Sequence, residues 1–177
     1  MGLFQEIAAG AAAESPLWAS ALRPEAEQDA VPVFSPLVVD RRFALGVETI
    51  YEGYLLHYGR PRLFAPPDDD VALLLGDALL AHGLVRIADT GSVTAVADLA
   101  ALLSLCAQGR ADGRDGDGAA WAATAVLLGQ GGLDVARTAL RETGDATPLE
   151  RLARAAAGED AVDAALVEHD ARFRAIV

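Results

Sequence analysis

An all-α fold, a single-domain helical bundle, is predicted by three features of this sequence. Apolar residues recur at three- and four-residue spacing over long stretches, as helices with one buried face require. No stretch alternates apolar and polar residues with the period of two that a half-buried strand needs. The chain is 53% hydrophobic and rich in alanine and leucine, both strong helix formers. At 177 residues it is sized for one domain with its own core, built from about seven or eight helices.

The elements follow in order. Residues 3–13 read as a short helix, and Pro16 and Pro24 bracket a second turn around Leu17–Leu22. Pro24, Pro32 and Pro36 make 24–36 a connector, so 1–36 is an N-terminal helical segment with a proline-rich link and 37–177 is the bundle. From Leu37 to Tyr58 the residues Val38, Ala44, Leu45, Val47, Ile50, Tyr51, Tyr54 and Leu55 mark an amphipathic helix. Glu48 and Glu52 lie one turn apart on it, where like charges repel slightly, so they need outside partners. Arg41 or Arg42 would serve; the alternative is a polar channel.

Next comes "GRPRLFAPPDDDVALLLGDALL", residues 59–80. Any of Asp68, Asp69 and Asp70 can cap a helix running to about Ile87, because a carboxylate accepts from the free N–H groups of a first turn. Gly91 ends that helix and Ser92 caps the next, which runs to about residue 108. The segment 109–120, "GRADGRDGDGAA", reads as a flexible acidic loop. Its alternating aspartates lack the closing glutamate and register of a calcium loop. Helices then follow over 119–129, 133–142, 148–157 and 159–175, with Pro148 at a first helical position.

Charge and composition exclude several classes. The net charge is −12 and all fourteen basic residues are arginine, which disfavours nucleic acid and anionic membrane surfaces. One cysteine, Cys106, allows no internal disulfide or cysteine metal cluster; at helical spacing in "LAALLSLCAQ" it reads as a buried small hydrophobe. The N-terminus has no basic signal-peptide region and does not fit a myristoylation pattern. No apolar run reaches the ~18 residues of a membrane span. The expectation is a cytoplasmic protein without an integral membrane segment.

No catalytic constellation is legible. His57, His82 and His169 are scattered, and His82, inside an apolar helix, reads as a hydrogen-bonded core residue. HExxH, GxSxG, Walker A and strand-borne GxGxxG patterns are all absent from the sequence. The sequence thus points to no catalytic residues, no metal ligands and no cofactor. Asp77 is flanked at helical spacing by Leu73, Leu74, Leu80 and Ala81, so it reads as a buried carboxylate in need of a partner. Gly76 beside it costs about 1 kcal/mol relative to alanine in a helix, which predicts a second backbone packed closely against it.

The pattern "GRP", then "GDALL" resembles the trans-isoprenyl diphosphate synthase (polyprenyl synthetase) superfamily, whose Arg-Gly-x-Pro-Thr loop precedes a helix of the form "ailaGDaLla". Gly59, Pro61, Gly76, Asp77, Leu79 and Leu80 match it, with 17 positions from Gly59 to Gly76. "FALGVETIYEGYLLH" is similar to the preceding family helix, with Val47-Glu48 and Leu55-Leu56-His57 in matching places, and the resemblance covers residues 40–107. The departures are as informative. The family's first DDxxD motif, which holds magnesium, should follow His57, but "YGRPR" stands there, and no second DDxxD follows. The lysine of the family's basic motif is missing too, with Arg23, Arg41 and Arg42 as partial replacements.

The resemblance therefore implies a truncated isoprenoid-synthase-like bundle stripped of its metal sites. The family uses such bodies as non-catalytic small subunits of heteromeric polyprenyl diphosphate synthases, which dock on a catalytic subunit and help set chain length, magnesium entering only through that partner. Glu48, His57, Gly59, Pro61, Gly76 and Asp77 would then be structural matches, and Glu48, Glu52, Arg60, Arg62 and Asp77 candidates for ligand or partner contact. Two other expectations stand beside it. One is a small ligand-binding protein or enzyme using Glu48, Glu52 and Asp68–Asp70; the other is a homodimeric helical scaffold.

Overall fold

The computed structural model describes residues 2–173. Among them nine α-helices form the body: α1 (Leu3–Glu14), α2 (Pro16–Ser20), α3 (Ala44–Tyr58), α4 (Asp69–Ala88), α5 (Val93–Ala111), α6 (Asp117–Val126), α7 (Asp134–Thr143), α8 (Thr147–Ala157) and α9 (Glu159–Ala171). No strand occurs among the described residues; one isolated antiparallel bridge joins Leu22 to Phe64. The all-α prediction holds. The helix beyond the expected seven or eight is five-residue α2, which Pro16 starts and whose Leu17 N–H is capped by the Ser15 hydroxyl.

Helix α3 is the axis, with twelve of its fifteen residues buried, so it must be covered on every side. It begins at Ala44, not at Leu37 as periodicity suggests. Pro36 and the Asp40 side chain, which accepts from Arg42 N–H at 3.0 Å, hold 35–37 and 41–43 in separate 3-10 turns. The main core sets Phe34, Tyr51, Tyr54 and Trp121 against residues of α5, α6, α8 and α9. A second core lies under the N-terminal hairpin, where Ile7, Ala11 and Ala21 pack on Leu56, Leu63, Phe64, Leu75 and Leu79.

Helices α3 and α4 run antiparallel with two pairs of glycines facing each other. A Cβ on Gly53 would sit 2.8 Å from the Gly76 carbonyl oxygen, and one on Gly83 would sit 2.9 Å from that of Gly46. The close backbone approach expected at Gly76 is real, and it recurs two turns away at Gly83.

Helix α4 starts as expected, with the Asp68 carboxylate accepting from Val71 N–H at 2.8 Å and Asp69 and Asp70 in the first turn. The expected 109–120 loop is shorter. Helix α5 continues to Ala111 and α6 starts at Asp117, because the Asp117 side chain has partners inside the body. Helix α9 ends at Ala171; the expected extension to 175 lies partly outside the described residues.

Both α4 and α5 are long and apolar enough, by length and composition, to cross a membrane. That corrects the expectation that no run reaches such a length. Asp77 and Asp98 interrupt the two runs in the sequence without bringing either helix above two charges in its most apolar window.

Candidate functional site: the outer face of α4 and α5

Glu48 and Glu52 do not pair with Arg41 or Arg42. Arg41 donates to the Ser35 carbonyl and Arg42 to Asp40. Their partner is Arg62, delivered by the loop after α3. Its Nε donates to Glu52 at 2.9 Å and its Nη1 to Glu48 at 2.5 Å, all three side chains being fully buried. Glu48 Oε1 also accepts the backbone N–H groups of Val33, Phe34 and Ser35, and Glu52 Oε1 those of Arg62 and Leu63. Burial works against the guanidinium charge, but the two carboxylates outweigh it and hold the arginine protonated. Every oxygen of the pair has a protein partner and both side chains are fully buried, so the cluster pins the 31–35 and 59–63 segments onto α3. There is no polar channel here.

The other residues that carry the sequence resemblance lie on α3, in the loop after it and on α4. Gly59 lies under the Phe173 ring, Pro61 is half-buried, and Arg60 ties the loop to the end of α9 through the Arg172 and Ala171 carbonyls. Asp77 is not buried as its apolar neighbours suggest: its side chain is 65% exposed, with His57 Nε2 3.3 Å away. The His57 ring occupies the space that a side chain at Gly76 would need. His82 is likewise no core residue; it lies at the surface, 3.3 Å from Glu14 of α1. Cys106 is buried as expected, and burial pushes its thiol well above the ordinary range.

A polar cluster between α3, α5, α6 and α9 has no counterpart among the sequence-based expectations. Asp117 accepts from Tyr54 at 2.6 Å and from Arg110, with His169 Nε2 at 3.3 Å; His169 Nδ1 meets the Tyr51 hydroxyl at 2.9 Å. Arg110, Asp117 and His169 of this cluster line a cleft of about 450 Å³, with Glu150, Leu166, Asp170 and Phe173 among its walls. Burial pushes the Asp117 carboxyl up, but His169, Tyr54 and Arg110 outweigh it and hold it well below the usual carboxylate range. Burial raises both tyrosines far above theirs. Both imidazole nitrogens are turned to protein groups, so the cluster has the geometry of a structural tie.

Asp117→Asn is therefore expected to destabilise the fold by about 1.5–3 kcal/mol at neutral pH, the range for hydrogen bonds to a charged group. A carboxyl held low in the folded state stabilises above its unfolded pKa of about 3.9 and loses that contribution as pH falls. The gap between wild type and variant should thus narrow below about pH 4, as urea denaturation across pH would measure.

One side of α4 and one side of α5 are left uncovered by the body. Beyond Asp69 and Asp70 of the first turn, which are also exposed, the exposed positions of α4 are Leu73, Leu74, Asp77, Ala81, Val85 and Ala88, a single stripe at three- and four-residue spacing. Leu73, Leu74 and Val85 are 53%, 55% and 57% exposed. The exposed positions between 93 and 108 of α5 are Val93, Thr94, Ala97, Ala100, Ser104 and Gln108, with no charge among them. Scattered surface hydrophobes are ordinary; here they line up along one helix face.

Neither a protein-family model nor a curated protein nor a solved structure matches the chain.

Proposed function

We propose that this chain is a non-catalytic subunit of a heteromeric polyprenyl diphosphate synthase, docking on the catalytic subunit through the outer face of α4 and α5. The uncovered apolar stripe on α4 carries the reading, because it lies on the helix whose "GDALL" resembles the family. The locked Glu48–Arg62–Glu52 cluster supports a structural role for the family-like helix α3. Docking would cover Leu73, Leu74 and Val85 and set apolar helix surface beside the partner's chain-elongation tunnel, so that this subunit helps fix product length. Magnesium and diphosphate chemistry would belong to the partner.

Co-expression with the catalytic synthase subunit of the same genome is expected to give a stable heteromer that makes polyprenyl diphosphate, where neither chain does so alone. Leu74→Glu should abolish the heteromer without changing the melting temperature of the isolated chain, since Leu74 is exposed. The reading fails if the two wild-type chains purify apart. Turnover by this chain alone with magnesium and an allylic diphosphate would replace it with an enzyme.

A further inference from the structure

We infer that the surface covering α4 is a heterologous partner and not the α4 or α5 face of a second copy of this chain, and that it brings a guanidinium or ammonium group to Asp77; this rests on the docking reading above. Asp77 sits in the middle of the stripe, with Leu73 and Leu74 one turn before it and Ala81 and Val85 one and two turns after. It is the one charged residue among the exposed positions from Leu73 to Ala88, and Asp70, one turn before the leucines, puts a second carboxylate at the stripe's end. Its neighbour His57 Nε2 lies 3.3 Å away, within ion-pair distance when the ring is protonated, and makes no hydrogen bond. Any surface that covers the two leucines and Val85 also takes Asp77 out of water, and a carboxylate buried without a counter-charge is strongly unfavourable.

That requirement separates the occupants. A second copy meeting α4 with its own α4 or α5 face brings no cation, because the exposed positions of both faces hold none. The arginine of α4's last turn, Arg86, lies on the flank toward α1, with its head against Gly10. A lipid interior brings no cation either. A heterologous protein face with one basic side chain among apolar ones satisfies both the stripe and the charge. The chain's net charge of −12 favours such a partner in the same sense. Asp77 would then fix register and reject wrong partners, as a lone polar group in an apolar helix seam does.

The test measures binding of the full chain to the catalytic synthase subunit for wild type, Asp77→Asn and Asp77→Arg, by biolayer interferometry. Asp77→Asn is expected to weaken binding at least about thirtyfold, the equivalent of the roughly 2 kcal/mol lower bound for truncating a buried charge pair. Asp77→Arg should abolish binding, and both variants should melt with wild type because the side chain is solvent-exposed. Wild-type binding with an equally tight Asp77→Asn overturns the cation and leaves the heteromer standing. Absence of wild-type binding overturns the docking reading and this inference with it. Sedimentation equilibrium of the chain alone and flotation with neutral phosphatidylcholine vesicles cover the other occupants. A homodimer, or vesicle association, that Asp77→Asn strengthens would overturn the inference.

Discussion

Gly83→Leu is expected to leave the chain unfolded at room temperature, and Gly83→Ala to cost about 2 kcal/mol, because small-to-large changes in a packed contact cost about 1–3 kcal/mol. The alanine Cβ would lie 2.9 Å from the Gly46 carbonyl oxygen and 3.0 Å from Ile50 N. Both are helix backbone atoms, which cannot rotate aside as a flexible side chain would, so α3 and α4 must separate along their whole contact. Separation forfeits dispersion contacts on both sides of the seam and exceeds the roughly 1 kcal/mol of helix propensity that alanine returns. Gly109→Ala supplies the control. It too is helical, but the nearest atom to its Cβ is 3.8 Å away, so it should gain up to about 1 kcal/mol. Urea denaturation of the three variants reads both signs; a neutral Gly83→Ala would mean that the helices are not in backbone contact.

The seam shows which features are legible in the sequence and why. Gly76 inside an apolar helix is locally unfavourable, so the sequence by itself announces a close backbone neighbour. The Asp68 cap is legible for a related reason: its effect is confined to one turn. Asp77 misleads, because its apolar neighbours Leu73 and Leu74 suggest burial and are themselves exposed. Helical periodicity reports which residues share a face, and it does not report whether anything covers that face. Asp117 is hidden in a run of glycines and aspartates that looks solvated. Its partners Arg110 and Tyr54 come from two core helices that precede it and His169 from α9, and no local pattern connects them.

The same blindness to non-local pairing conceals Arg62, whose removal is the more informative experiment. Arg62→Met is expected to destabilise the protein by about 3–5 kcal/mol, the range for breaking a buried ion pair from one side, out of a total of about 5–15 kcal/mol for a domain. Methionine fills much of the volume, so the loss reports the charge and the donors: two to Glu48 and Glu52, one to the Val31 carbonyl and one to the Glu48 carbonyl. Adding Glu48→Gln and Glu52→Gln to Arg62→Met should recover part of that loss. The glutamine carbonyl oxygens can still accept the five backbone N–H groups now held by the two Oε1 atoms, with no charge left in the core. This non-additivity separates a structural cluster from a catalytic one. Carboxylates kept for chemistry would show an activity lost on neutralisation, whereas carboxylates kept to pin two loops become dispensable once their arginine is gone. A triple variant less stable than Arg62→Met alone would show that the guanidinium is not what balances the two buried charges.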